Sequence, residues 1–225
     1  MAPASADWHL EPARSSVHIE MNTHQHRSFR GFSLVEMAIA LAIIALLSAG
    51  AITALQAQNT RNRLLETRAQ LNEAREALIN FAAVTGALPC PDTNNDGDPD
   101  ACPGTVTRGR LPWRMLGLPS TDVWGQALHY AVHFDFTDAP NLRLSSASTL
   151  GIESQDAAGA FTDLANPANV ALALWSSGAD ATPNPNGSTA NNILAEAPNS
   201  DDVVIWLSRF VLLGRMLEAG RDIPQ

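Results

Sequence analysis

From Met37 to Leu55 the chain carries no charged side chain. A run of about 20 apolar residues wound as a helix spans roughly 30 Å, the hydrocarbon thickness of a bilayer. A single acid, Glu36, stands at the start of the run, and Arg27 and Arg30 stand just before it, as positive-inside anchoring requires. The apolar pattern then narrows to a stripe. Leu64, Leu71, Ala74, Leu78 and Phe81 recur at helical spacing, while Arg61, Arg63, Glu66, Arg68, Glu73, Arg75 and Glu76 cover the other face. The two patterns predict one helix from Phe32 to about Thr85, roughly 80 Å long at 1.5 Å per residue. Gly50 is expected to loosen it locally, and Gly86 and Pro89 to end it.

Beyond the helix the period changes to two. In Leu128–Asp135, Leu128, Tyr130, Val132 and Phe134 alternate with His129, Ala131, His133 and Asp135. This predicts a strand with one buried face and with the histidines on the more exposed, solvated side. Val170–Ser176 and Val203–Leu207 are further strand candidates, and Phe210–Ala219 reads as a short closing helix stopped by Gly220. The Ser-, Ala-, Asn-, Gly- and Pro-rich stretches 145–165 and 178–200 read as loops. The expected fold is α+β: a long N-terminal helix whose lower half packs on a small antiparallel sheet with long loops.

Length and charge narrow the function. With 225 residues and 45% hydrophobic content, there is room for one ordinary domain plus an anchor. The first 31 residues hold three Arg and three acids, so the formal charge of −9 belongs entirely to the remainder. Such a domain repels phosphate backbones, which argues against nucleic-acid binding. Arg108, Arg110 and Arg114 lie close in sequence and read as a solvated loop with one or two packed guanidinia. No nucleophile elbow, metalloprotease helix or phosphate loop is present, so a structural and interaction role is expected rather than an enzyme.

Two cysteines, Cys90 and Cys102, bracket a turn-rich acidic stretch. In an exported protein they face an oxidising compartment, and one disulfide is the expectation. Zinc held by both cysteines with His129 and His133 is the alternative, at a cysteine spacing far wider than a zinc knuckle. Within the stretch, Asp92-x-Asn94-x-Asp96-Gly97-Asp98 matches the first half of an EF-hand loop, whose oxygen ligands alternate around a Gly at the bend. Pro103 occupies the position of the bidentate Glu, which excludes a complete EF-hand. The stretch is either a Ca²⁺ site finished by another acid or a hydrophilic turn.

Glu36 needs its own account. An unpaired carboxylate entering hydrocarbon costs several kcal/mol, and neither a plain anchor nor a secretory signal gains from it. A subunit that leaves the bilayer and packs into a filament can pair it with a positive group on a neighbour. Arg30-Gly31-Phe32-Ser33-Leu34-Val35-Glu36 followed by the apolar run resembles the class III signal of type IV prepilins and type II secretion pseudopilins. The resemblance implies cleavage by a prepilin peptidase between Gly31 and Phe32, N-methylation of Phe32, and an assembly role for Glu36. It also implies an inner-membrane assembly platform and other pilin or pseudopilin subunits as partners.

The implied division is a leader at 1–31, a transmembrane and assembly segment at 32–55, and a periplasmic head at 56–225. A 31-residue leader is long for this class. Met21 opens a short basic leader of the usual kind, so translation is expected to start there. The competing reading is an ordinary secretory signal cut at Ala49-Gly50-Ala51, which leaves Glu36 and the Gly-Phe junction unexplained. The head extends the resemblance. Asp122-x-Trp124-Gly125 with Tyr130 is similar to a stretch of major pseudopilins, and Ser177-Gly178-Ala179-Asp180 with Asp201-Asp202 resembles their calcium loop. This implies Asp180 and Asp202 as Ca²⁺ ligands. The expected function is a subunit of a type II secretion pseudopilus. The alternatives are a minor pilin serving adhesion, motility or DNA uptake, and, from another class, a conventionally secreted binding protein or hydrolase.

Overall fold

The computed structural model describes residues 31–138, 142–182, 187–198 and 200–225. The leader, with Met21, Arg27 and Arg30, lies outside the described residues. The chain divides into two compact units, one up to Ala49 and one from Gly50 onward.

Helix α1 runs Leu34–Thr85 without interruption at Gly50. Ser33 caps its start, its hydroxyl accepting from the Val35 amide at 3.3 Å and its carbonyl from the Met37 amide at 3.1 Å. Glu36 falls in the first turn, where the helix dipole favours an acid. The stop is the expected one: Gly86 takes φ 96°, and its amide still reaches the Ala82 carbonyl at 2.8 Å.

In the second unit the stripe of α1 that turns inward is Thr67, Leu71, Ala74, Leu78, Ile79 and Ala82. It packs on a four-stranded antiparallel sheet made of β1 (Val106–Arg110), β2 (His129–His133), β5 (Val170–Ser176) and β7 (Val203–Ser208), ordered β1-β2-β5-β7. Short helix α2 (Trp113–Leu116) lies between β1 and β2 in sequence, and α3 (Arg209–Glu218) follows β7. Leu212, Leu213 and Met216 of α3 join the same core as Tyr130, Val132, Leu172, Leu174 and Leu207. Two side-chain ties fix α3 and the residues just after it to α1. The Arg215 guanidinium meets the Glu76 carboxylate at 3.3 Å, and Arg221 Nε donates to the Ala83 carbonyl at 2.8 Å. The buried Tyr130 hydroxyl donates to the Pro89 carbonyl at 3.0 Å and ties the chain just past the helix to β2.

The stretches read as loops contain a second sheet. β3 (Gly151–Gln155) pairs antiparallel with β4 (Phe161–Ala165) and parallel with β6 (Asn192–Glu196), in the order β4-β3-β6. Leu150, Ile152 and Ile193 from this region pack on Ala131, Val170 and Ala173, which face away from α1. The layers are therefore helix, four-stranded sheet, three-stranded sheet. This corrects the reading of β2. Ala131 is fully buried because the second sheet covers the face assigned to solvent, and His133 is only 5% exposed, its ring edge-on to Phe136. Phe134, expected to be buried, is exposed at the end of the strand. β1 was also missed, since Val-Thr-Arg-Gly-Arg shows no apolar alternation.

Candidate functional site

The first unit presents the predicted processing junction. Phe32 is 75% exposed, and Leu34, Ile39, Leu41, Ile43, Ile44, Leu46 and Leu47 are all exposed along α1. Such a surface is far larger than water tolerates on a free protein. α1 is long and apolar enough to cross a membrane. Glu36 is the sole charge between Leu34 and Thr60, and among the described residues it forms no ion pair.

In the head, Cys90 and Cys102 form a disulfide with Cα atoms 5.6 Å apart. Their sulfurs are thus committed to each other and not to zinc. His129 stacks on Trp175 with ring centroids 5.2 Å apart. His133 Nδ1 accepts from the Asp135 amide at 3.3 Å. Burial holds both imidazoles below their ordinary pKa, with Arg110 adding to the effect at His129 and Asp135 opposing it at His133.

The loop closed by the disulfide turns its oxygens onto its own amides. The buried Asp92 carboxylate accepts from the Asn95 amide at 2.6 Å and the Gly97 amide at 2.8 Å. Asn94 Oδ1 accepts from Asp96, and Asp96 Oδ1 from Asp98, each at 2.9 Å. Asp98 pairs with Arg114 at 2.8 Å. Asp100 gathers the Thr93 amide and hydroxyl and the Asn94 amide, and these bonds, led by the Thr93 hydroxyl, hold its pKa below the usual carboxylate range. The backbone of Asp92 exchanges two hydrogen bonds with Arg110. The Trp113 ring lies so close over Gly97 (φ 89°) that a Cβ there would sit 2.6 Å from it. The predicted ligands Asp92, Asn94, Asp96 and Asp98 are thereby spread along a chain of turns.

The second predicted set comes together and gains a member. Asp180, Asp201 and Asp202 each offer a carboxylate oxygen, all within 4.8 Å of one another. Asp201 is the member that the resemblance did not imply as a ligand, and its place beside Asp202 is the signal the sequence offers for it. Gly178 (φ 61°) approaches Asp201 so closely that a Cβ would lie 2.6 Å from its Cγ. The amides of Ala179 and Asp180 both donate to Asp201 Oδ2, and the Thr182 amide to Asp180 Oδ1 at 2.8 Å. A cavity of about 410 Å³ opens beside the group, lined by Ser200–Val203 and by Arg61, Leu64, Leu65 and Arg68 of α1. Carboxylates this close repel by about 1–3 kcal/mol per pair, the lower figure for the solvent-exposed Asp180. The three carboxylates offer oxygen ligands of the kind a hard divalent cation takes, and the guanidinia of Arg61 and Arg68 line the same cavity.

An exposed apolar helix of membrane-spanning length, headed by a Gly-Phe junction and leading into an α+β head, defines a membrane-anchored subunit with a pilin-type fold. Residues 26–52 match the family described as the prokaryotic N-terminal methylation motif, so the chain carries the class III signal of type IV pilin-like subunits. That signal implies processing by prepilin peptidase and assembly with other pilin subunits. Nothing matched this chain among curated proteins or among solved structures.

Proposed function

We propose that this chain is a structural subunit of a type II secretion pseudopilus. It is cut between Gly31 and Phe32 and methylated on Phe32. It is held in the bacterial inner membrane by residues 32–55, with the head in the periplasm. The reading rests on one observation: the methylation motif leads into a helix whose lone charge before Arg61 is Glu36. That carboxylate is costly in lipid and useful only where a neighbour supplies a cation, such as the α-amino group freed at Phe32. The likeness of the Asp122-x-Trp124-Gly125 turn to major pseudopilins supports the pseudopilus over a minor pilin. No reaction is assigned to the head.

Three experiments test this. Mass spectrometry of the mature protein should find N-methyl-Phe32 at the terminus, and a start at Ile52 would end the pilin reading. Glu36→Ala should leave cleavage intact but abolish cross-linked filament ladders, whereas normal ladders would overturn the pairing argument. Deleting the gene should strand secreted enzymes in the periplasm. Loss of surface pili with normal secretion would instead assign a minor pilin.

We further propose that Asp180, Asp201 and Asp202 hold Ca²⁺, with loop carbonyls and water completing the shell. The ion would offset their mutual repulsion and fasten the loop. Titrating the full chain in detergent with CaCl₂ should raise its melting temperature. No shift at millimolar calcium refutes the site.

A further inference from the structure

Asp122 is 6% exposed and lies far in sequence from the three clustered carboxylates. Its Oδ1 accepts from the amides of Trp124 at 2.8 Å and Gln126 at 2.9 Å, closing the turn that Gly125 (φ 80°) completes. Its Oδ2 accepts a short hydrogen bond from the hydroxyl of Ser176, which is fully buried at the end of β5. The same Ser176 oxygen accepts from the Gly178 amide at 3.1 Å. Because the hydroxyl proton is spent on Asp122, the lone pair of Ser176 is aimed at Gly178. Gly178 is where the backbone turns left-handed against Asp201, and the next two amides close on the Asp201 carboxylate. On its other side the Asp122 turn meets the long helix, with the Arg63 guanidinium 5.1 Å from the Trp124 ring centroid.

We infer that Asp122 is the positioning residue of the Asp180/Asp201/Asp202 group: through Ser176 it sets the Gly178 turn that folds Ala179 and Asp180 over Asp201. A role in metal affinity rests on the calcium reading above, whereas the hold on the loop does not. Asp122 touches none of the three carboxylates in the contacts described, so its effect on them travels through Ser176 and Gly178. A carboxylate suits this task better than an amide. It accepts from all three donors at once without a proton of its own, and charge-assisted bonds of this kind are the stronger ones.

The test compares full-length wild type with Asp122→Asn and, as the milder change, Ser176→Ala, all in detergent. Hydrogen exchange read by mass spectrometry should quicken at least tenfold in the 177–182 peptide of both variants. The peptides of 71–82 and 129–133 should keep wild-type rates. Unchanged exchange at 177–182 in Ser176→Ala, or equal quickening across every strand, overturns the inference. In the second arm, calorimetric titration with CaCl₂ should give a dissociation constant about tenfold weaker for Ser176→Ala. Wild type that binds no calcium sinks the calcium reading alone and leaves the exchange arm to decide. Wild type and Ser176→Ala binding with equal affinity sinks the role in metal binding.

Discussion

The Cys90–Cys102 disulfide closes a loop whose folded form has its own supports, which makes the contribution of the covalent link separable. The two cysteines are 12 positions apart. Restricting a loop of that length in the unfolded chain is worth about 3 kcal/mol on the chain-entropy account. In the folded state the same loop is held by the Asp92–Arg110 backbone pair, by Trp113 over Gly97 and by the Asp98–Arg114 pair. Removing the link therefore leaves the native loop in place, and the loss falls on the unfolded state. For a head of this size 1 kcal/mol corresponds to roughly 2–4 °C, so Cys90→Ser/Cys102→Ser should melt about 6–12 °C lower than wild type.

Circular dichroism melting of the full chain in detergent, with and without a phosphine reductant, measures this. Amide exchange of residues 92–100 at 10 °C checks that the loop remains folded. A drop under about 2 °C would mean that the unfolded chain already holds the two cysteines near each other. A full drop accompanied by fast exchange throughout 92–100 would refute the claim that the loop is self-supporting, because the link would then be acting on the native state.

Acid should weaken the head in two separate windows. His129 and His133 have folded pKa values below 6.5, so the stability tied to their neutral forms is complete above that value and fades as pH falls through the folded pKa. His133→Gln should flatten the melting-temperature profile between pH 7 and 5. Burial pushes Glu153 up, but hydrogen bonds from the Ser188 hydroxyl and amide and from the Asn192 side chain outweigh it and leave it below 4.5. Its contribution is therefore present above pH 4.5 and lost on further acidification. Glu153→Gln should cost about 1–3 kcal/mol at pH 7 by chemical denaturation and remove that lower step. Leu71→Ala, at a fully buried position on the inward face of α1, should cost about 2–5 kcal/mol. Leu65→Ala, on a residue 61% exposed, should stay within about 0.5 kcal/mol on the same denaturation curve.

Much of the architecture was legible because it repeats. The 3.6-residue stripe located α1 and its end at Gly86, period-two alternation located β2, and short apolar runs located β5 and β7. What escaped was structure held by polar contacts between distant residues. β3 carries Glu153 toward the interior, which reads as a loop until Ser188 and Asn192, 35 and 39 positions away, supply its donors. The same second sheet overturned the assignment of Ala131 to a solvated face, since alternation identifies two faces but not how many layers cover them. At the carboxylate group the sequence led to Asp180 and Asp202 by resemblance. Asp201 joined them through the pairing of β5 with β7, and the Asp122–Ser176 bond, which spans 54 positions, left no local signal in the sequence.

The acids then sort by what satisfies them. Asp92 has two amides, Asp122 two amides and a hydroxyl, and Glu153 a hydroxyl and two N–H donors, all from within the head. Each of these buried carboxylates is held at a point where the chain must turn or close, so its desolvation is offset inside the fold. Glu36 has no such donors among the described residues and sits in an apolar helix surface that no core covers. On the proposed reading, cleavage after Gly31 takes away the arginines nearest in sequence, Arg27 and Arg30, with the leader. On that same reading, the compensation that the head completes within one chain is, for Glu36, left to assembly, which would make this carboxylate a sensor of correct packing rather than an element of the monomer's stability.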